Sequence, residues 1–547
     1  MTSRPPPPLR PCPHGISSPL EPLALALLLA LACSPGARKS EAAAGLGRAV
    51  WSGPARSLRA SPDGAWLAFL DGCREAKGQF LPPRTANCDL RAVPAAGGEA
   101  RVVARAVTTL PQGYVWSGSA ATLAALGGYD YAAGAGELTS WRPDSGAREI
   151  AREVSFYGFG PSGALGVVSG GRLLVGAPGA GVTPVAGASE VATFELSPRP
   201  PGAILQESGS PVEALARRTA AAGGALLAVA GGEARPVASG VTDYAFAPDG
   251  EAFAYIAGSG GQGRLATAAG GAAVPRMLGA PGVRGFSYWA AGPGSPPAAL
   301  AFIEGAAPGK QGDLEYLDVL RGTKHAPLGA REVGEYRWAR AAPRLAWLEQ
   351  YDPRVRAGTL GVGGIDLPTR RVAAHVSDFD LAPDGARVAF LQHTTRGGYS
   401  VDLALADLAA PSTAAPTTVA QGVFGFAFSP DGRWLYYRTR CTRNGEACDL
   451  ERVPAAGPAP GAGPERIAQG AKSFDFDPRD PGRLLVGFQR MDMVALDVAV
   501  WEGGRLVAVD RAVEPGTAQF LPPDSRRLAY VVVQPKRAGV YVAELPR

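Results

Sequence analysis

The sequence predicts an all-β fold, a β-propeller built from about eleven four-stranded blades. The first observation is a repeat, because residues 429–457 nearly copy residues 61–97 in their turn, their two cysteines and their closing Val-Pro-Ala-Ala-Gly segment. The second is the spacing of the copies, roughly 46 residues on average, which lies in the range of propeller blades. The third is the content of each copy, whose short alternating or aromatic runs are typical of strands and exclude helical repeats.

A single unit is predicted to hold four strands joined by turns. Residues 426–428 and 435–437 form the first two strands, on either side of the turn Ser429-Pro430-Asp431-Gly432. In such a turn Pro presets φ, Asp bonds its own backbone and Gly takes the position with positive φ, so its Asp is predicted to be structural. A variable loop follows, then a third strand such as residues 89–93, and after a Gly-rich turn a fourth strand such as residues 100–104.

The turn recurs along the chain and sets the number of units. Its best copies start at Ser61, Ala247, Ala382 and Ser429, and weaker copies or aromatic segments fill the intervals. Such a unit cannot bury its apolar face alone, so the units are expected to stack on one another. Because a single propeller typically holds four to eight blades, we expect two packed propellers, with a boundary near residue 240, in preference to one large ring.

Both ends of the repeat array are predicted to lie within one blade. Residues 48–51 have the pattern of a fourth strand, and residues 539–544 have that of a third. An N-terminal strand added to the last blade would remove an exposed sheet edge. The sequence thus assigns residues 46–240 to N-terminal propeller blades and residues 241–547 to C-terminal propeller blades.

The turn Ser-Pro-Asp-Gly followed by an apolar strand resembles the repeat of TolB-type propellers, which are WD40-like. The four best copies carry this hallmark, and weaker copies extend the resemblance over most of the chain that follows the N-terminal segment. For the fold, the resemblance implies a β-propeller. For the function, it implies either a periplasmic scaffold protein or the propeller found beside the hydrolase domain of prolyl-oligopeptidase-like enzymes.

The N-terminus is predicted to be an export signal. Residues 23–32 form an apolar run that is preceded by Arg4 and Arg10. The run is too short to span a bilayer as a mature helix, so we predict that residues 1–32 are a signal peptide.

The end of this run resembles the lipobox of bacterial lipoproteins. Small residues are followed by Cys33, and the resemblance implies that Cys33 is lipidated and that residues 33–45 form the anchor linker. Because Ser34 is not the Asp of many inner-membrane lipoproteins, the resemblance favours the outer membrane. The alternative is an ordinary signal peptide cleaved after Ala32 or later.

The cysteines independently indicate export. Apart from Cys12 and Cys33, which lie in or at the end of the predicted signal, four of the six remain. They form two pairs at the ends of the same variable loop in equivalent blades: Cys73 with Cys88, and Cys441 with Cys448. Strand ends approach closely enough there for disulfides, which persist in an oxidising compartment. The alternative, four metal-binding thiols, lacks the close Cys-x-x-Cys spacing of zinc sites.

Groups for catalysis or metal binding are sparse. A Ser hydrolase would need Gly-x-Ser-x-Gly, and residues 160–163 have the wrong spacing. The histidines beyond the signal, His325, His375 and His393, lie in different units without metal-ligand spacing. We therefore predict no catalytic centre, no metal and no cofactor, although carboxylates brought together around the axis would leave no sequence signal. The net charge of +5 without a basic tract argues against nucleic acid as a partner.

The variable loops between second and third strands are the predicted binding face, opposite the face that carries the Ser-Pro-Asp-Gly turns. The two cysteine loops give this face a modest excess of cations. We expect partner-binding residues at Arg74, Lys77, Arg84, Arg440 and Arg443. The partner attracted to them would be an envelope protein or an anionic glycan, and a mixed, solvated rim is the alternative.

The sequence thus predicts a non-catalytic lipoprotein of the cell envelope that acts as a protein-binding or scaffolding β-propeller. A lipid anchor would hold it at the outer membrane. The alternative is a propeller enzyme or a ligand sensor that acts on a sugar or peptide in the periplasm. Both functions rest on analogy at the level of the fold.

Overall fold

The structure is a computed structural model. It describes parts of the compact body that lies within residues 45–547: residues 45–75, 85–176, 181–199, 212–219, 224–258, 262–269, 275–292, 294–307, 311–319, 323–325, 330–393, 401–442, 445–458, 461, 463–490 and 494–546. The predicted signal peptide and Cys33 lie outside the described residues.

Over the described ranges the fold is all-β, with no α-helix and a single 3₁₀ turn at Pro535–Arg537. The strands are β1 (Gly47–Ser52), β2 (Arg56–Ala60), β3 (Trp66–Glu75), β4 (Ala86–Pro94), β5 (Arg101–Thr108), β6 (Tyr114–Trp116), β7 (Leu123–Asp130), β8 (Ala135–Arg142), β9 (Gly146–Phe159), β10 (Leu165–Ser169), β11 (Arg172–Gly176), β12 (Thr183–Pro184), β13 (Val191–Leu196), β14 (Ala214–Arg218), β15 (Leu226–Ala230), β16 (Glu233–Ala238), β17 (Val241–Phe246), β18 (Ala252–Ala257), β19 (Arg264–Ala269), β20 (Arg276–Leu278), β21 (Gly285–Trp289), β22 (Ala299–Glu304), β23 (Asp313–Asp318), β24 (Thr323–His325), β25 (Glu335–Trp338), β26 (Arg344–Asp352), β27 (Ala357–Gly364), β28 (Arg370–Leu381), β29 (Arg387–His393), β30 (Val401–Asp407), β31 (Thr417–Ala420), β32 (Gly425–Phe428), β33 (Trp434–Thr439), β34 (Cys448–Pro454), β35 (Glu465–Phe476), β36 (Leu484–Gln489), β37 (Leu496–Glu502), β38 (Arg505–Val513), β39 (Gln519–Leu521), β40 (Arg527–Val532) and β41 (Gly539–Glu544).

Consecutive strands pair antiparallel, and their pairing groups them in sets of four. In chain order these sets, here called units 1 to 11, are β2–β5, β6–β9, β9–β12, β13–β16, β17–β20, β21–β24, β25–β28, β28–β31, β32–β35, β35–β38, and β39–β41 with β1. Three long strands, β9, β28 and β35, belong to two units each. The first half of β9, for example, pairs with β8 and its second half pairs with β10. Four antiparallel strands per unit is the pattern of propeller blades.

The Ser-Pro-Asp-Gly turn forms the predicted hairpin between the first two strands of a unit. In unit 1, Gly64 has φ 67° and donates its N–H to the carbonyl oxygen of Ser61 at 2.8 Å. Asp63 Oδ1 accepts the N–H of Ala65 at 3.0 Å, and Ser61 Oγ accepts that of Trp66 at 3.0 Å. These contacts confirm the structural role predicted for the turn Asp, because its carboxylate bonds the backbone of its own hairpin.

The N-terminal strand completes the last unit, as predicted. β1 pairs with β41 from Gly47 opposite Ala543 to Ser52 opposite Gly539. Tyr541 on β41 stacks on Tyr530 of the following strand, β40, with ring centroids 5.9 Å apart. The pairing gives β41 a partner along an edge that would otherwise be open.

Hydrophobic clusters join each unit to the next along the chain. Between units 1 and 2, Trp141 packs edge-on against Trp66, with ring centroids 5.1 Å apart. Corresponding clusters lie between all later neighbours. One of them spans the predicted boundary near residue 240, since it contains Leu215 of unit 4 and Phe253 of unit 5. A further cluster joins unit 11 to unit 1.

A residue with positive φ precedes a buried aliphatic residue at every junction between neighbouring units. The pairs are Ser57-Leu58, Ala106-Val107, Glu153-Val154, Glu190-Val191, Gly240-Val241, Gly282-Val283, Glu332-Val333, His375-Val376, Gly422-Val423, Gly470-Ala471 and Ala512-Val513. A left-handed residue costs an L-amino acid roughly 1–2 kcal/mol. Here it turns the chain from the last strand of one unit into the first strand of the next, and the following side chain enters the core.

Candidate functional site

Two disulfides hold the variable loops that the sequence analysis placed on the binding face. One joins Cys73 to Cys88 and the other joins Cys441 to Cys448, each between the second and third strands of its unit. All four sulfurs are therefore bonded, and the alternative of four metal-binding thiols does not hold. The two bonds indicate an oxidising, exported environment.

A cleft of about 770 Å³ lies beside the first cysteine loop. It is lined by unit 1, by the segment between units 1 and 2, and by Glu514 at the junction of units 10 and 11. Its lining residues are Arg56, Ser57, Cys73, Glu75, Thr85, Ala86, Thr109, Leu110, Pro111 and Glu514. The cleft thus lies on the face that carries the variable loops, at the place where the first and last units meet.

Local backbone geometry positions the polar groups of the cleft. Ser57 has φ 55°, and its N–H donates to Oε2 of Glu514 at 3.2 Å. Glu514 directly follows β38, and its own N–H donates to the carbonyl oxygen of Val531 at 2.8 Å. Burial raises the pKa of the Glu514 carboxyl, and the Ser57 hydrogen bond and the positive charge of Arg56 oppose the shift.

The opposite wall of the cleft is also fixed by hydrogen bonds. Thr109 and Ala86 exchange two of them, since Oγ1 of Thr109 accepts the Ala86 N–H at 3.0 Å and the Thr109 N–H donates to the Ala86 carbonyl at 3.0 Å. Behind them, the hydroxyl of Tyr131 lies 2.9 Å from Oδ1 of Asn87 and 3.0 Å from Oγ1 of Thr108. The walls are therefore ordered before any partner binds, which lowers the entropic cost of binding.

The charges at the cleft are mixed. Arg56 and Glu75 are exposed at its mouth, and Glu514 is half-buried inside it. Arg74, one of the predicted partner-binding residues, is exposed at the end of β3, next to the disulfide. The cleft can therefore offer a guanidinium, two carboxyls and backbone groups to a polar ligand.

The second cysteine loop carries a different arrangement. Arg440 has φ 47°, and its guanidinium donates to Oδ2 of Asp449 at 2.9 Å and also to Glu451. The hydrogen bonds that Arg440 donates to Glu451 and Asp449 raise its pKa. Lys472 lies 3.4 Å from Glu446 in the same region. Arg440, a predicted partner-binding residue, is thus paired with two carboxylates of β34.

The other predicted site residues are not brought together. Lys77, Arg84 and Arg443 lie outside the described residues. His375 is the positive-φ residue that starts unit 8, and His393 ends β29. His325 lies on β24. Within the described ranges no group of three or more His, Cys, Asp and Glu side chains could hold a metal ion.

Sequence reasoning missed Arg56, Ser57 and Glu514. Their signal was weak, because the junction of two units is marked only by an aliphatic residue after a position that Gly, Ala, Glu, Ser or His can occupy. Glu514 could have been noticed as the residue after Val513, at the junction of units 10 and 11, but nothing local links it to Ser57.

Comparisons with known proteins add little to this site. No protein-family model and no curated protein matches the chain. It is similar to the crystal structure of the eukaryotic initiation factor, with 11% identity over 67% of this chain and 91% of that chain and a TM-score of 0.39. It is also similar to the tricorn protease, with 11% identity over 90% of this chain and 57% of that chain and a TM-score of 0.31. Its similarity to oligogalacturonate lyase in complex with manganese has 12% identity over 65% of this chain and 96% of that chain, with a TM-score of 0.31. Such values transfer no activity to this chain.

The described residues also contain no helix that combines the length and the apolar character needed to cross a membrane.

The chain is characterised by three features of its own structure. These are antiparallel four-stranded units of the propeller type, two disulfides, and a cleft where the first and last units meet.

Proposed function

We propose that this protein is an exported β-propeller of the TolB type that binds a partner in the cell envelope and has no catalytic centre. Its lipid anchor at Cys33 would hold it at the outer membrane. The observation that carries the proposal is the cleft lined by Arg56 and Glu514, which lies on the loop face beside a disulfide. Rigid scaffolds commonly present binding loops in this way.

We further propose that the eleven units are blades of one ring rather than of two packed propellers. Each unit shares a hydrophobic cluster with the next one, and the cluster of Leu58, Phe69, Val531 and Val542 joins the last unit to the first. These contacts support one closed ring. If the units formed two rings, at least one hydrophobic cluster would have to join two units that are neither consecutive in the sequence nor the first and the last. Closure also buries the apolar faces that the first and last units would otherwise expose.

The partner would be a protein that inserts a polar segment into the cleft. Arg56 offers a guanidinium to a carboxylate, and Glu75 offers a carboxylate to a cation. The first cysteine loop, with Arg74, would form the rim of the contact. Because the walls are hydrogen-bonded in advance, a few side chains can supply most of the binding energy.

Chemical crosslinking in the native envelope, followed by mass spectrometry, tests the proposal. Wild type is compared with Arg56→Glu and Arg74→Glu, and the matched control is Arg505→Glu, an exposed arginine at a turn of the opposite face. We expect a specific crosslinked protein that both loop-face variants lose and the control keeps. If protease treatment of the envelope leaves binding intact, the partner is an anionic glycan instead. If no partner crosslinks, the scaffold function is contradicted.

A second candidate function is a propeller enzyme that acts on a sugar or peptide. It is favoured by one observation, the half-buried Glu514 whose pKa is raised by burial inside a cleft of about 770 Å³. A carboxyl with a raised pKa is suited to general acid chemistry. Turnover of an envelope glycan or peptide that Glu514→Gln abolishes, while binding persists, would establish this function over the scaffold.

A further inference from the structure

A second cleft, of about 390 Å³, lies on the face that carries the turns, between units 3, 4 and 5. The first strands of these units end here in the turns that begin Gly160-Pro161, Ser197-Pro198 and Ala247-Pro248. Phenylalanines from all three units line the cleft, among them Phe194 and Phe246. Glu195 is the only charged residue among the lining residues.

Among the described residues, Glu195 has no cation within ion-pair distance. Its Oε2 accepts the backbone N–H of Phe246 at 3.3 Å, and within the described residues it forms no ion pair. The charge that acts on it most strongly is a second carboxylate, Asp243. The undescribed segments of units 3 to 5, residues 177–180, 200–211, 220–223, 259–261 and 270–274, contain no Lys, Arg or His. The described arginine nearest in sequence on the neighbouring strand, Arg217, acts on the Tyr244 phenol and is not among the charges that act on Glu195.

This combination is unusual because a carboxylate in apolar surroundings normally has a partner. Burial raises the pKa of Glu195 to about 7, and Asp243 adds to the shift. The other titratable groups that interact with it electrostatically are the phenols of Tyr244 and Tyr288. Near neutral pH the carboxyl is consequently poised between its two protonation states.

The cleft also has room for a ligand. Gly158 lines it on the first strand of unit 3, and a Cβ added there would meet nothing within 4 Å. Its φ is not in the left-handed region, so the glycine is not required by the backbone. A cleft of about 390 Å³ is within the size range of small-molecule sites.

We propose that this cleft binds a small organic cation with an apolar body, whose ammonium group pairs with Glu195 while the body lies against the phenylalanine rings. The carboxylate selects the charge, and the faces of the aromatic rings favour a cation as well. The site lies on the opposite face from the partner-binding cleft, so the protein would carry a ligand site that is independent of its scaffold role.

Binding of 2-phenylethylamine and its neutral analogue 2-phenylethanol tests the proposal. At pH 8, where Glu195 is ionised, we expect wild type to bind the amine about tenfold more tightly than the alcohol, as one charge-assisted hydrogen bond predicts. Binding of the amine should also lower the pKa of Glu195, which is measured by carboxyl NMR. Equal affinities for the two probes, or no binding of the amine at millimolar concentration, would overturn the proposal.

Two variants and one control locate the site. Glu195→Gln keeps the shape of the side chain and should reduce the preference for the amine to about one. Gly158→Leu fills the cleft and should abolish binding of both probes. The control is Gly285→Leu on the first strand of unit 6, where an added Cβ also meets nothing within 4 Å. Circular dichroism verifies that each variant is folded. Unchanged binding in folded Gly158→Leu would place the ligand elsewhere and contradict the assignment.

Discussion

The backbone N–H of Ser57 donates to Oε2 of Glu514 at 3.2 Å, although 457 positions of sequence separate the two residues. Gln519 adds two contacts at the same junction, accepting the Ala60 N–H at 3.1 Å and donating to the Leu58 carbonyl at 3.0 Å. Units 1 and 11 are thus joined by polar contacts as well as by a hydrophobic cluster. The candidate cleft lies at this junction, so the binding site depends on contact between the two ends of the array.

Replacing Asp510 should destabilise the last unit. Its carboxylate accepts two hydrogen bonds from Arg537, at 2.9 and 2.8 Å, and one from the Tyr530 hydroxyl at 3.0 Å. In Asp510→Ala these donors lose their acceptor, and we expect a loss of about 2 kcal/mol in the free energy of unfolding. The control is Asp144→Ala, whose exposed carboxylate lies 3.4 Å from Arg142 and should contribute less than about 0.5 kcal/mol. Urea unfolding measures both, and equal effects would contradict the role of Asp510.

Alanine at a junction glycine should destabilise the protein through backbone conformation alone. Gly422 has φ 62°, and a Cβ added there would meet nothing within 4 Å. Gly422→Ala should therefore cost about 1–2 kcal/mol without any steric clash. Gly118→Ala is the control, because that site is equally open and its φ is not in the left-handed region. The prediction fails if the urea midpoints of the two variants shift alike.

The two disulfides should differ in what they contribute. The bonded cysteines are separated by 15 positions in the first disulfide and by 7 positions in the second. In the loop-entropy model, replacing Cys73 and Cys88 by Ser costs about 3 kcal/mol, and replacing Cys441 and Cys448 costs about 2 kcal/mol. The first double variant should also weaken partner binding, since Cys73 lines the cleft. Binding that survives unchanged would separate the disulfide from the site.

Stability should fall with rising pH because of Glu195. Its folded pKa is about 7, above the ordinary 4.5, so the folded state holds a proton that the unfolded state has lost. The contribution of Glu195 to the free energy of unfolding is therefore fully present below pH 4.5 and is lost as the pH rises through 7. The loss is about 2 kcal/mol after allowance for partial exposure. Glu195→Gln should remove this decline, whereas Glu233→Gln, at an exposed site, should keep it. Parallel pH profiles for wild type and Glu195→Gln would refute the assignment.

Local features of the fold could be predicted from the sequence. The turn residues Ser61 and Asp63 act within one hairpin, and the cysteine pairs flank one loop, so neighbouring residues carry the whole signal. The pairing of β1 with β41 was predictable as well, because the array shows an incomplete unit at each end.

Long-range features left no comparable signal. The junction of two units requires a conformation rather than a residue type, and Glu332, His375 and Gly422 all adopt it. The contact of Ser57 with Glu514 joins residues 457 positions apart, and neither belongs to a recognisable motif. Arg440, which the sequence predicts to bind a partner, lies near Asp449 and Glu451 in the sequence. Whether the arginine pairs with these two carboxylates depends on how β33 aligns with β34, and that register is set by the fold.

Site-specific photocrosslinking in the cells that produce the protein tests the central claim most directly. A photoreactive amino acid is placed at Arg74, beside the cleft, and in a second protein at Arg505, on the opposite face. The account predicts one envelope protein crosslinked from position 74, lost when Arg56→Glu is added, and absent from position 505. A crosslink of equal yield from both positions, or none from position 74, would contradict the assignment of the loop face as the binding site.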